Sequence, residues 1–406
     1  MTQRYDTYKD SGVQWLGEIP GHWGCVPLKY FIETKSGTAI NVKELDDKGT
    51  YPVYGGGSQI GFCNKYNCEE TEIIVGRVGA KCGCVTFPNK KVWATDNALI
   101  IKTNLYPRFT AFVLVAADLN RLNAANAQPL ITGTKIKHVR IALPPLSEQR
   151  SIVSFLDDKC GKIDEWVTKK QKEVEHLQEL KQRVIADAVT RGLNPHVKMK
   201  ATNIPWIKEI PEHWEALRAK HMFNKEQRPV EEGDEIVTCF RDGEVTLRKN
   251  RRTTGFTEAT DYSHYQHICK GDLVIHQMDA FAGSAGVSDS DGMGTPVLSV
   301  CTPKSNNILN EYYAHIVRLM GKNGFILSLY RGIRERSSDF RFDTFANLWL
   351  PVPTIEEQKQ IVAHITDKTS KIDKLITNIT KEIECIKEYK QRLISDVVTG
   401  QIKVNQ

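Results

Sequence analysis

The chain has 406 residues, 40% apolar and 26% charged, a globular composition long enough for two to four domains and unlike that of a disordered chain. No apolar run approaches the ~18 residues of a membrane span, and the polar first ten residues lack the apolar stretch of a secretion signal. Ten cysteines in a chain of this size are too few for a disulfide scaffold and predict reduced thiols in a cytoplasm, while the net charge of +6 permits a nucleic-acid partner without arguing for one.

In chain order, the first distinctive segment is Trp15-Leu-Gly-Glu-Ile-Pro-Gly-His-Trp23. It returns as Trp206-Ile-Lys-Glu-Ile-Pro-Glu-His-Trp214, matching at six of nine positions. A block of strands follows its first copy. Tyr51-Pro-Val-Tyr runs into the turn Gly55-Gly56-Gly57. Glu72-Ile-Ile-Val-Gly76, Lys91-Val-Trp-Ala-Thr95 and Ala98-Leu-Ile-Ile101 read as further strands, and Phe109 to Asn123 as a helix. The second block repeats this order, with strands at Glu235–Phe240, Asp272–His276 and Pro296–Val300 and a helix over Glu311–Met320. The two blocks share little sequence.

After each block comes a longer repeat. Residues 143–190 align without a gap on 352–399, with 22 identities in 48 positions. Apolar positions recur at alternating steps of four and three, the 3.5-residue period of a coiled coil. The seam runs through Leu156, Cys160, Ile163, Val167, Lys170, Val174, Leu177, Lys181, Val184 and Ala188. In the second copy it is Ile365, Thr369, Ile372, Ile376, Ile379, Ile383, Ile386, Lys390, Leu393 and Val397. Pro144-Pro145 and Pro353 mark the helix starts, and Gly192 and Gly400 the stops. Thr354 and Glu357 form a capping box that the first copy lacks. About 42 helical residues would span about 63 Å. A lone helix would leave its seam wet, so the two are expected to pair antiparallel, with a block near each end. The lysines at equivalent seam positions, Lys181 and Lys390, are expected to set register or to reach solvent at a splayed end.

Motifs of chemistry are mostly missing. There is no G-x-x-x-x-G-K-[ST] phosphate loop, no H-E-x-x-H, and no Asn/Asp-Pro-Pro-aromatic tetrapeptide for methylating a flipped base. Cys63, Cys68, Cys82 and Cys84 lack the paired C-x2-C spacing of zinc sites and read as structural thiols. The positive features are basic loops. Arg77, Lys81, Lys90, Lys91, Lys135, Lys137, His138 and Arg140 lie in the first block. The second carries Arg241, Arg248, Lys249, Arg251 and Arg252, a local +3, and Arg331, Arg334, Arg336 and Arg341, a local +2. One such run is usually a solvated face, but four in two repeated blocks suit contacts with phosphates and base edges.

The two Trp-containing repeats, Pro144-Pro-Leu-Ser-Glu-Gln149 with Pro353-Thr-Ile-Glu-Glu-Gln358, and Lys162-Ile-Asp164 with Lys371-Ile-Asp373 together resemble the specificity subunits of type I restriction-modification systems. The likeness covers nearly the whole chain. It implies an α+β protein with a pseudo-twofold internal repeat, in which two β-rich target recognition domains are separated by long antiparallel coiled-coil helices. The layout becomes a short repeat at 1–25, a recognition domain at 26–142, the central helix at 143–205, the second short repeat at 206–216, a recognition domain at 217–350 and the last helix at 351–406. The resemblance implies a non-catalytic subunit binding double-stranded DNA at a bipartite site, with half-sites about one turn (~34 Å) apart. Two adenine methyltransferase subunits and motor-nuclease subunits would dock on it. S-adenosylmethionine, ATP and Mg²⁺ would be held by those partners, with neither cofactor nor metal on this chain. Two other classes stay open from the residues alone: a nuclease with an unrecognised site, and a coiled-coil interaction protein without a DNA role.

Overall fold

A computed structural model describes residues 3–79, 81–122, 130–251, 254–255, 262–329 and 339–404. It is an α+β structure of two compact units. The first combines residues 1–172 with 379–406, and the second is residues 173–378.

In the first unit, β1 (Tyr8–Asp10) pairs with β2 (Glu18–Pro20), and β3 (Gly24–Pro27) with β11 (Arg140–Leu143), both antiparallel. The central sheet has the order β4 (Ile32–Ser36), β10 (Ala98–Thr103), β7 (Ile73–Gly76), β8 (Val85–Thr86). Its strands β7 and β10 are continuous apolar runs because both their faces are covered, and Ile73, Ile74, Val75 and Leu99 to Ile101 are buried. A second sheet orders β6 (Ser58–Cys63), β5 (Tyr51–Gly55) and β9 (Trp93–Ala94). The glycine turn joins β5 to β6, with Gly56 and Gly57 at φ 56° and 100°, the left-handed region that hairpin turns require. Helix α1 (Pro107–Ala116) starts with proline in its first turn. It ends seven residues before the expected Asn123, because Asp118 turns left-handed at φ 44° and breaks the ladder. Helix α2 (Gly133–Lys137) precedes β11, and α3 (Leu146–Arg191) follows it.

The second unit repeats this plan. β12 (Met199–Ala201) pairs with β13 (Glu209–Pro211), and β14 (Glu215–Arg218) with β23 (Trp349–Val352). The central sheet again has four strands, β15 (Phe223–Glu226), β22 (Leu298–Pro303), β19 (Leu273–His276) and β20 (Ala285–Val287). In place of the second sheet stand two pairs, β16 (Val237–Cys239) with β17 (Val245–Leu247), and β18 (Gln266–Ile268) with β21 (Gly292–Gly294). Helices α4 (Asn310–Lys322), α5 (Phe325–Ser328) and α6 (Phe342–Ala346) precede β23, and α7 (Ile355–Val398) ends the fold.

The blocks that share little sequence therefore share a scaffold. The offset between equivalent first residues is 191 at β4 and β15 (32 and 223), then 200 at β7 and β19 (73 and 273) and at β10 and β22 (98 and 298). It is 203 at α1 and α4 (107 and 310) and 209 at α2 and α6 (133 and 342). The extra length of the second block enters in three steps, in the connections rather than in the sheet.

Within each unit, part of α3 packs antiparallel on part of α7. The seam positions are buried or half-buried throughout, while most positions between them are exposed. In the first unit Leu156, Cys160, Leu393 and Val397 join one core with the α1 side chains. Lys390 donates to both oxygens of Asp164 at 2.6 and 2.7 Å. In the second unit Lys181 does the same to Asp373, both at 2.7 Å. Asp164 and Asp373 are repeat equivalents, as are Lys181 and Lys390. One repeated pair of residues thus supplies both ion pairs, with donor and acceptor exchanged between the helices. Each seam lysine keeps its stem half-buried and delivers its charge to the aspartate of the Lys-Ile-Asp triplet.

The short repeats are clamped to the long ones by a glutamate. Trp23, fully buried, donates its indole N–H to Glu148 at 3.0 Å, where His22 at 2.7 Å and the Tyr5 hydroxyl at 3.0 Å also bond. In the second unit Trp214 donates to Glu357 at 3.3 Å, with His213 at 2.8 Å. Glu357 also closes the expected capping box, taking the Thr354 N–H at 3.2 Å while its own N–H donates to Thr354 Oγ1 at 3.3 Å. Pro145 stands at the Thr354 position of the first copy, so only the tryptophan half of the arrangement is built there.

Burial pushes both carboxyls up, but hydrogen bonds from His22, Trp23 and Tyr5, and from His213, Trp214 and Thr354, outweigh it and hold them below their ordinary value of 4.5. A carboxyl with a lowered folded-state pKa stabilises fully above the unfolded value and loses that contribution as pH falls through the folded one. The urea midpoint of the wild type is therefore expected to drop below about pH 4.5, and that of a Glu148→Gln, Glu357→Gln double variant to drop less steeply there. Equal slopes in urea titrations at stepped pH would show that the clamps do not titrate with folding.

Candidate nucleic-acid interface

The cations singled out in the sequence occupy loops and element ends, and five of them, Lys91, Arg241, Lys249, Arg251 and Arg341, are already paired with acids. Arg241 bonds Asp279 at 2.9 Å, and Lys249 pairs with Glu235. Arg251 reaches Asp242 at 2.7 Å and Glu244 at 2.8 Å, and its guanidinium lies 4.3 Å from the centre of the Phe240 ring. The Asp242 bond holds Arg251 above its ordinary pKa. Arg341 bonds Asp339 at 2.7 Å. Lys91 donates to the Tyr66 hydroxyl at 3.1 Å and faces Glu69 at 3.5 Å. Lys135 caps the Leu122 carbonyl at 3.0 Å, and Arg140 donates to the Cys25 carbonyl at 2.9 Å. His138 bonds the Thr134 carbonyl at 2.8 Å.

Asp279 and Glu235, which lie outside the Arg241–Arg252 run, set opposite charges against two of its cations. Lys81 and Lys90 are exposed, Lys137 and Arg248 half-buried. Arg252, Arg331, Arg334 and Arg336 lie outside the described residues.

Two side chains stand out once the scaffolds are superposed by element. Arg77 and Gln277 are equivalent, each leaving the central sheet just after β7 or β19. The Arg77 N–H bonds the Asn97 carbonyl at 3.1 Å, and its carbonyl takes the Ile131 N–H at 3.0 Å. The Gln277 N–H bonds the Val297 carbonyl at 2.9 Å, and its carbonyl takes the Phe340 N–H at 3.0 Å. The backbone is therefore fixed alike while the side chain differs. Arg77 donates to Ser36 Oγ at 2.8 Å, and its buried Nε has no acceptor among the described residues. Gln277 donates to the Pro296 carbonyl and Ser299 Oγ, both at 3.3 Å. Arginine and glutamine are the side chains that pair in two-pronged fashion with guanine and adenine edges. Gln277 escaped the sequence reading because it carries no charge and sits at an offset of 200, which neither sequence repeat shows.

The four cysteines of the first block do not gather. Cys63 donates to the Lys65 carbonyl at 3.0 Å and Cys82 to the Arg77 carbonyl at 3.2 Å. Burial pushes the Cys68 thiol up to about 12. Among the described residues, no group of three metal-ligating side chains includes any of the four.

Comparison with known proteins places this architecture. Residues 20–176 match the type I restriction modification DNA specificity domain. The chain is 23% identical over 415 residues to the type I restriction enzyme MjaVIII specificity subunit of Methanocaldococcus jannaschii, covering 95% of this chain and 94% of that protein. It is 20% identical over 344 residues to the EcoBI specificity subunit of Escherichia coli, covering 77% and 71%. A chain in a solved structure concerned with complex assembly and conformational transition of the type I R-M system shares the fold, with a TM-score of 0.65 at 15% identity over 94% of this chain and 98% of that one. No helix among the described residues is long and apolar enough to cross a membrane. Domain match, full-length likeness and doubled scaffold agree: residues 20–176 match a type I restriction modification DNA specificity domain, and the chain as a whole is similar to the specificity subunits of type I restriction-modification systems.

Proposed function

We propose that this chain reads a bipartite DNA site for a type I restriction-modification complex, one half-site per recognition domain, and docks the subunits that carry the chemistry. The observation that carries the reading is the doubled scaffold. One four-stranded sheet occurs twice with the same strand order, and the connections around it differ in length, pairing and side chains. A constant frame with variable connections suits two readers of two different sequences. Exposed lysines such as Lys81 and Lys90 would position the domain on phosphates, and Arg77 and Gln277 are candidates for base edges. The chain itself is non-catalytic in this reading and holds no cofactor for the reaction. Two methyltransferase subunits bring S-adenosylmethionine and flip the target adenine, and motor-nuclease subunits bring ATP and Mg²⁺. The cytoplasm is where such a complex meets DNA. Full-length similarity to specificity subunits supports the docking role.

The test is modular exchange. Residues 217–350 are replaced by the corresponding block of another specificity subunit, and methylated adenines are mapped by sequencing. One half of the recognised site is expected to change and the other to persist. Changes in both halves would overturn the assignment of one half-site to each domain.

A further inference from the structure

The geometry points to a divalent transition-metal site, best suited to zinc, built by His267, Cys269 and Asp291 in the second unit. It lies where the β18–β21 pair ends, a pairing that the first unit keeps as the single antiparallel bridge between Cys68 and Val92.

Three features converge. The first is the ladder. Gln266, His267 and Ile268 pair with Gly294, Met293 and Gly292, and the next step outward brings Cys269 towards Asp291. His267 and Cys269 are two residues apart and so share one face of the extended chain. Their donor atoms and a carboxylate oxygen of Asp291 all lie within 4.8 Å of one another. Donors on one tetrahedral zinc, at about 2.0–2.3 Å from the metal, stand roughly 3.5 Å apart. Closure therefore needs a side-chain movement of about an ångström.

The second feature is the support of the histidine. His267 Nδ1 lies 2.8 Å from Asp234 Oδ2, and both side chains are 8% exposed. An ionised carboxylate only accepts, so Nδ1 carries the hydrogen and Nε2 keeps its lone pair. Asp234 is itself held by the Glu231 N–H at 2.9 Å. A buried carboxylate orienting an imidazole through its far nitrogen is the outer-shell arrangement of metal-bound histidines. Asp291 is oriented in a similar way: its Oδ1 takes the Lys270 N–H at 2.9 Å, which leaves the other oxygen to bind.

The third feature is donor chemistry. Thiolate, imidazole and carboxylate together select zinc over magnesium or calcium, which take all-oxygen shells. On binding, the Cys269 thiol gives its proton to solvent and its sulfur to the metal. Asp291 is exposed and Cys269 half-buried, so water completes a fourth position. The ion would tie the two strand ends together where the ladder stops.

Cobalt(II) is the probe. The full chain is stripped with chelator and titrated with Co²⁺ alone. The expected result is thiolate charge-transfer absorption that saturates at one equivalent and is bleached by Zn²⁺. Cys269→Ala should abolish that absorption, and Cys385→Ala, at an exposed cysteine on α7, should leave it intact. Asp234→Asn should keep the absorption while weakening affinity about 10–100-fold, the usual cost of losing an outer-shell partner. Circular dichroism checks that each variant folds. Absence of the band at one equivalent, its survival in Cys269→Ala, or its loss in Cys385→Ala would each overturn the site.

Discussion

Trp23→Ala is expected to destabilise the first unit by about 3–5 kcal/mol, the usual cost of emptying a fully buried tryptophan site. The indole has no exposed surface and belongs to the core that joins the short repeat to both long helices. Its ring meets Tyr5 edge-on at 5.5 Å, and Gly400 leaves no room for a Cβ beside it and Pro20. The substitution also strips Glu148 of one of its three donors. At about 2–4 °C per kcal/mol for a unit of this size, the melting transition should fall by roughly 6–20 °C. Trp23→Phe separates the two contributions. It keeps most of the apolar burial and loses the indole bond to a carboxylate, for about 1.5–3 kcal/mol. Hydrogen exchange read by mass spectrometry should show faster opening in residues of the first unit. A loss below about 1 kcal/mol in Trp23→Ala would mean that the short repeat is not part of the core.

The second large effect is expected at Gln358. This amide is fully buried and makes three bonds. Its Oε1 accepts the Leu309 N–H at 2.8 Å, and its Nε2 donates to the Asn307 and Pro353 carbonyls, both at 2.9 Å. It pins the start of α7 to the segment entering α4. Gln358→Leu fits the space but orphans a buried N–H and two carbonyls, at about 1–3 kcal/mol for each group that water cannot reach. A total near 3 kcal/mol or more is expected from urea unfolding. Gln149 is the repeat equivalent, with bonds of 3.0 Å to the Pro144 carbonyl and 3.4 Å from the Tyr106 N–H. Gln149→Leu should cost less, since it breaks fewer and longer bonds. Equal costs at the two positions would show that the amide bonds are not what is lost.

Those two residues show how far the sequence reaches. Trp23, Trp214, Gln149 and Gln358 all stand out as repeats, so their importance is legible, but their partners are not. Glu148 lies 125 residues from Trp23, and Leu309 lies 49 from Gln358. The long helices were legible to within a few residues. Pro145 and Pro353 precede their starts, Gly192 and Gly400 follow their ends, and the 3.5-residue seam coincides with the buried positions. In the first block, the strands Ile73–Gly76 and Ala98–Thr103 and the glycine turn were equally readable, since each is a local pattern.

What the sequence by itself determined was therefore what depends on neighbours along the chain: the double repeat, the helix limits, the seam and the strand runs. Tertiary structure alone decided the kinship of the two blocks. Ile73-Ile-Val-Gly76 and Leu273-Val-Ile-His276 fill equivalent sheet positions with different side chains, because a buried strand asks only for apolar volume, and connections of unequal length shift the alignment between elements. Tertiary structure also decided the fate of the basic runs. Counting charges along Arg241–Arg252 misses Asp279 and Glu235, which arrive from other strands and loops. The same holds for Asp291, which joins His267 and Cys269 only through the register of an antiparallel ladder. Periodicity is written residue by residue, whereas a pairing partner is set by which strand or helix folds back alongside, and that is a property of the packed chain.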